Sequence, residues 1–169
     1  MKKLASVLKR KLDGARKVAI LGVGSDIRGD DAAGIIVAQL IKKITAKKKS
    51  KKKVKVFLGQ TAPENLTGEI KKFNPSHLLI IDSADLGGRP GKVAAIDPEN
   101  IGGISFCTHS LPIKVMTDYL QQSCPGLQVI IIGIQPESLA VGSDISRDVA
   151  RAVEKLAGTL AELLNAAFA

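Results

Sequence analysis

A chain of 169 residues that is 45% hydrophobic is long enough to bury a full core and too apolar to be disordered. No apolar run approaches the roughly 20 residues of a membrane span, and the N-terminus lacks the continuous apolar segment of a secretory signal, so a cytoplasmic protein is the simplest expectation. The 25 basic and 16 acidic residues give +9, but much of that excess sits in Lys47 to Lys53, which reads as a solvated run; without interleaved aromatics no nucleic-acid partner is expected.

In chain order, Leu4, Val7, Leu8 and Leu12 recur at helical spacing, and Gly14 is a plausible stop. Lys17 to Val23 reads as a buried strand, followed by a glycine-rich turn and a helix that starts at Asp30 or Asp31 and runs through Ile41. A short strand is expected at Val54 to Leu58, and Pro63 with Glu64 suits the first turn of another helix. His77 to Ile81 is a continuous apolar run, as expected of a central strand covered on both faces. Pro90-Gly91 marks a turn before a strand at Lys92 to Ile96. A helix over Ser110 to Gln122, a last buried strand at Val129 to Ile134 and a long terminal helix complete the chain. Strands alternating with helices imply one α/β domain over residues 1–169, with a mostly parallel sheet covered by helices on both faces. Cys107 and Cys124 form no C-x-x-C pair and read as free thiols.

The glycine-rich turn, GVGSDIRGDDAAG from Gly22 to Gly34, resembles a phosphate cradle only superficially. Its third glycine is Gly29, where the dinucleotide fingerprint needs one at Ile27. Asp30 and Asp31 would repel phosphate and attract a cation, so metal or proton chemistry fits better. One of the two acids is expected to cap the helix and the other to project into a cleft.

In an open α/β sheet, ligands bind beyond the carboxyl ends of the strands. That rim collects Asp31 after the first strand, Thr61 and Glu64 after the second, Asp82 at the end of HLLII, and Gln135 and Glu137 after the last. His77 lies five residues before Asp82, about 16 Å away at about 3.3 Å per residue, and belongs to the opposite rim. His109 precedes a helix in a loop that can fold over the carboxyl rim. Two carboxylates and one imidazole there would make an open nitrogen/oxygen site suited to zinc, iron or nickel, with Cys107 as an optional soft ligand. There is no H-E-x-x-H and no G-x-S-x-G, and Cys107 with His109 lacks a third orienting group. Residue chemistry alone therefore stops at a metal-binding α/β protein, with hydrolysis left open.

Five ordered segments extend this reading: GVGSDIRGDDAAG, TAPENLTGEI (Thr61 to Ile70), HLLIIDSADLGGRPGKVAAIDPENI (His77 to Ile101), CTHSLP (Cys107 to Pro112) and IGIQPESL (Ile132 to Leu139). Together they resemble the maturation endopeptidases of nickel–iron hydrogenases, most closely the formate-hydrogenlyase-type branch. The resemblance covers Lys17 to the final helix and leaves residues 1–14 outside the family-like core. It implies a three-layer sandwich around a twisted five-stranded sheet, with one antiparallel strand at Lys92 to Ile96. It also implies a cytoplasmic, monomeric, aspartyl-type peptidase that cuts a C-terminal extension from a hydrogenase large-subunit precursor after nickel insertion. By motif, the family's nickel-contacting positions carry over to Asp31, Asp82 and His109, the trio that rim geometry also selects. The nickel would be carried by the substrate, and no tightly held cofactor is expected.

The chain departs from the family pattern at Ser25 (usually Asn), at Ala32 (usually Gly), and at Gly59-Gln60 (usually Gly-Gly). Ser25 keeps a hydroxyl and Ala32 is a good helix former, so neither of these removes a ligand; Gln60 is the departure that could alter how the substrate tail is gripped. Two other functions compete with the peptidase: a metallochaperone or scaffold that holds the precursor uncut, and a metallohydrolase with its own metal.

Overall fold

A computed structural model describes residues 1–46, 53–97 and 113–168. Its elements are α1 (Lys2–Lys11), β1 (Val18–Val23), α2 (Ala33–Thr45), β2 (Val54–Gln60), α3 (Thr67–Phe73), β3 (His77–Ser83), β4 (Val93–Ile96), α4 (Ile113–Ser123), β5 (Gln128–Ile134) and α5 (Arg147–Ala167). The sheet order is β2-β1-β3-β5-β4, with every pairing parallel except β4 against β5. The expected five-stranded, mostly parallel sheet with one antiparallel strand is therefore present.

Side chains alternate across each strand, and the sheet accordingly has two apolar cores. Val18, Ile20, Leu79, Ile81, Ile130 and Ile132 pack with α1, α2 and α5, whereas Ala19, Leu21, Leu78, Ile80 and Ile131 pack with α3 and α4. β3 is buried at all seven positions, which explains its continuous apolar run. Fully burying each of its Leu and Ile side chains is worth about 1.5–3 kcal/mol. In α1, Leu4 and Leu8 are buried, as their spacing requires.

Two local features differ from expectation. Asp30 and Asp31 do not open α2; they lie in a short 3-10 turn, Gly29–Ala32, and α2 begins at Ala33. Pro63 and Glu64 likewise form a 3-10 turn, Pro63–Leu66, ahead of α3. A third observation concerns Gln60, which ends β2 in the left-handed region at φ 48°. A side chain there is strained, which gives a physical reason for the glycine that the family pattern has at this point. Its carbonyl accepts the Gly24 N–H at 3.0 Å and so ties β2 to the start of the glycine turn.

Glycine in that turn is a matter of space. A Cβ on Gly22 would come within 2.6 Å of the Ala38 Cβ and the Gly34 carbonyl, and one on Gly34 would run into the carbonyl oxygens of Val23 and Ile81. Their absence lets α2 lie directly on the carboxyl ends of β1 and β3, and this close approach delivers Asp31 to the rim.

Candidate active site at the carboxyl rim

β1 and β3 are parallel neighbours, with Gly22 opposite Ile81, so the glycine turn and the end of β3 emerge at one rim. Asp31 and Asp82 meet there, and both are 0% exposed. The residue between them is Ser83, also fully buried. Its hydroxyl donates to Asp31 Oδ1 at 2.9 Å, and its backbone N–H donates to Asp82 Oδ1 at 2.7 Å. By strand alternation Asp82 belongs to the α3/α4 face, while Ser83 belongs to the α2/α5 face from which Asp31 arrives. Ser83 was not singled out from sequence, although an IIDS run ending a buried strand puts a hydroxyl beside the rim carboxylate.

The two adjacent acids do divide the work, but not as a helix cap and a cleft residue. Asp30 is fully buried and accepts three backbone N–H groups, from Glu137 (2.7 Å), Ser138 (3.1 Å) and Ser146 (2.6 Å). It caps no turn of its own helix; it fastens the segment between β5 and α5 against the glycine turn. The Asp30 N–H completes the tie by donating to the Ser138 carbonyl at 3.0 Å. Charge-assisted bonds of this kind are the stronger class, so Asp30 reads as the structural anchor and Asp31 as the residue turned to the rim.

The other rim residues are built into the scaffold. The Gln135 side-chain carbonyl accepts the Leu86 N–H at 2.6 Å and holds the loop after β3. Asp85, exposed, closes its own turn by accepting the Gly87 N–H at 3.0 Å. Thr61 is exposed and Glu64 half-buried, both just beyond β2. His77 opens β3 and therefore lies at the opposite rim, as its spacing from Asp82 requires. Cys124 is a buried free thiol. His109, Cys107 and Lys47 to Lys52 fall outside the described residues. Among the described residues no cluster of three metal-ligating side chains forms, and no helix is long and apolar enough to cross a membrane.

Comparison with known proteins identifies the family and the fold. The hydrogenase maturation protease family model matches residues 38–163. A Methanocaldococcus jannaschii relative assigned to the hydrogenase maturation proteases is 32% identical over 165 residues, covering 96% of each chain. The hydrogenase 3 maturation protease of Escherichia coli is 34% identical over 136 residues, covering 80% of this chain and 83% of the other. Among solved structures, the hydrogenase maturation protease HycI of Thermococcus kodakarensis superposes with a TM-score of 0.83 at 31% identity, covering 94% of this chain and 98% of that one. With a family model matched over most of its length and relatives above 30% identity, the chain belongs to the hydrogenase maturation proteases, a family of endopeptidases.

Proposed function

We propose that this chain acts as a single cytoplasmic domain, and as a monomer, to remove the C-terminal extension of a nickel–iron hydrogenase large-subunit precursor after nickel insertion. Asp31, Asp82 and His109 are the residues that recognise the nickel carried by the substrate. The observation that carries this reading is the meeting of two fully buried carboxylates, from separate elements, at the rim where a parallel sheet binds its ligands. Burying carboxylates costs a fold free energy unless they are well bonded, and such groups concentrate at functional sites.

The donor set suits that task. Carboxylate oxygens and an imidazole nitrogen are hard-to-borderline ligands, able to contact a nickel ion already seated among the substrate's thiolates without extracting it. Contact with the metal would bring the scissile peptide beside Asp31 and Asp82, converting recognition into proximity and orientation. Two routes to the attacking water fit this placement: a carboxylate as general base, or the substrate's metal as Lewis acid.

The test is to incubate the protein with a large-subunit precursor, nickel-loaded and nickel-free, and to measure intact masses. Loss of a C-terminal fragment from the loaded form alone is the expected result. Cleavage of both forms would remove the metal from the recognition step. Cleavage of neither, with the precursor shown competent by another maturation protease, would favour a protein that binds the precursor without cutting it.

A further inference from the structure

We propose that Ser83 is the positioning residue of this site, fixing Asp31 and Asp82 relative to each other; the proposal rests on reading those two aspartates as the peptidase centre. A serine hydroxyl has one proton, and that of Ser83 is committed to an acceptor-only carboxylate at 2.9 Å. The backbone N–H of the same residue is committed to the other carboxylate at 2.7 Å. One residue thus holds one oxygen of each acid, although the acids reach the rim from opposite faces of the sheet.

The holder is itself rigid. Ser83 pairs with Ile134 in the β3–β5 ladder, and the next residue, Ala84, donates its N–H to the Ile134 carbonyl at 3.0 Å. Packing alone does not call for a hydroxyl at this depth, since burying one costs free energy unless it is bonded. The bond it makes is to Asp31. Strand register therefore passes through Ser83 into the carboxylate geometry, and a misplacement of about 1 Å at such a centre can cost about 10²-fold in rate.

The substitution Ser83→Ala is selective, because it removes the hydroxyl bond to Asp31 and keeps the backbone bond to Asp82. Assayed on the nickel-loaded precursor, it should lower kcat by about 10- to 100-fold, the usual range for a partner that orients a reacting group, with KM within about twofold of the parent. Ser83→Cys keeps the shape with a weak donor and should fall between the two; it also serves if the alanine variant folds poorly. A core variant remote from the rim, Ile130→Val, controls for lost packing and should keep the parental kcat whatever it does to Tm. Parental kcat in Ser83→Ala, or an equal kcat loss in Ile130→Val, would overturn the role. Asp31→Asn run alongside separates the two layers: normal processing by that variant removes the underlying site, whereas an inactive Asp31→Asn beside a fully active Ser83→Ala removes only the positioning role.

Discussion

At the amino end of β3, Ser76 accepts the N–H groups of Arg16 and Lys17 at 2.9 and 3.2 Å and lies 3.0 Å from the Lys17 carbonyl. At the carboxyl end of the same strand, Ser83 holds two side-chain carboxylates supplied by different elements. Both are serines whose hydroxyls make hydrogen bonds, seven positions apart in sequence. What separates them is the partner. Ser76 joins backbone groups, with the His77 ring beside it, near solvent, where water can replace a lost bond. Ser83 joins ionisable groups in a place closed to water, where nothing replaces it. A polar side chain at a strand end is informative about function only once the identity and burial of what it holds are known.

The widest separation between the two ends comes from the carboxylates themselves. Asp31→Asn and Asp82→Asn keep the side-chain shape and an oxygen acceptor for Ser83, so each should remain folded, with a Tm close to the parent by calorimetry. Precursor cleavage should fall by about 10²- to 10⁴-fold, the range for a lost acid–base group. Retained cleavage with either would make this rim as structural as the other.

Next in size is Gly34→Ala. Its new methyl meets the carbonyl oxygens of Val23 and Ile81, which are backbone and cannot swing aside. Overpacking of this kind costs about 1–3 kcal/mol, and relief requires α2 to lift from β1 and β3, taking Asp31 with it. Stability and cleavage should both drop, in contrast to the aspartate variants. Ser76→Ala is milder and the mirror image of Ser83→Ala: about 1 kcal/mol for the lost bonding, or about 2–4 °C in Tm for a chain of this size, with kcat unchanged. A kcat loss in Ser76→Ala would mean that the two ends of β3 are coupled and that the contrast between them fails.

The sequence made much of this visible, for identifiable reasons. The three central strands, β1, β3 and β5, announce themselves as apolar runs because they are buried almost throughout, whereas the edge strands β2 and β4 are only partly covered; a rim shared by Asp31 and Asp82 follows once β1 and β3 are parallel. The task of Asp30 was hidden because an acid beside a helix start looks locally like a cap, while its real partners lie 107, 108 and 116 positions away. Ser83 was hidden for a related reason: its hydroxyl answers to a residue 52 positions upstream. Strand alternation would have found it, since a residue one step beyond Asp82 must face the side from which α2 brings Asp31. The strain at Gln60 was present only as a departure from the family's glycine pair, and the backbone angle explains that departure. Local signals identify elements, whereas the division of labour within the site is set by contacts remote in sequence.

The smallest effect belongs to His77, the titratable neighbour of Ser76. Burial holds its pKa below the ordinary value of 6.5, partly offset by a bond to the Lys11 backbone; its Nδ1 lies 3.0 Å from the Ser76 hydroxyl. In the unfolded chain the ring takes a proton near pH 6.5, while in the folded protein it does so only at lower pH. The unfolded state therefore binds more protons between those two values, and stability must decline as pH falls through that window. Above 6.5 the contribution is complete and flat. Thermal unfolding followed from pH 8 down to pH 5.5 should show a shallow loss of Tm that begins near 6.5 and is reduced in His77→Asn. A Tm rising over the same interval would mean that the folded state favours the charged ring, contrary to its burial. Because the loss arises at the amino rim, it should appear in Ser83→Ala and in Asp31→Asn with the same slope, leaving the pH response of stability separable from whatever pH response cleavage shows.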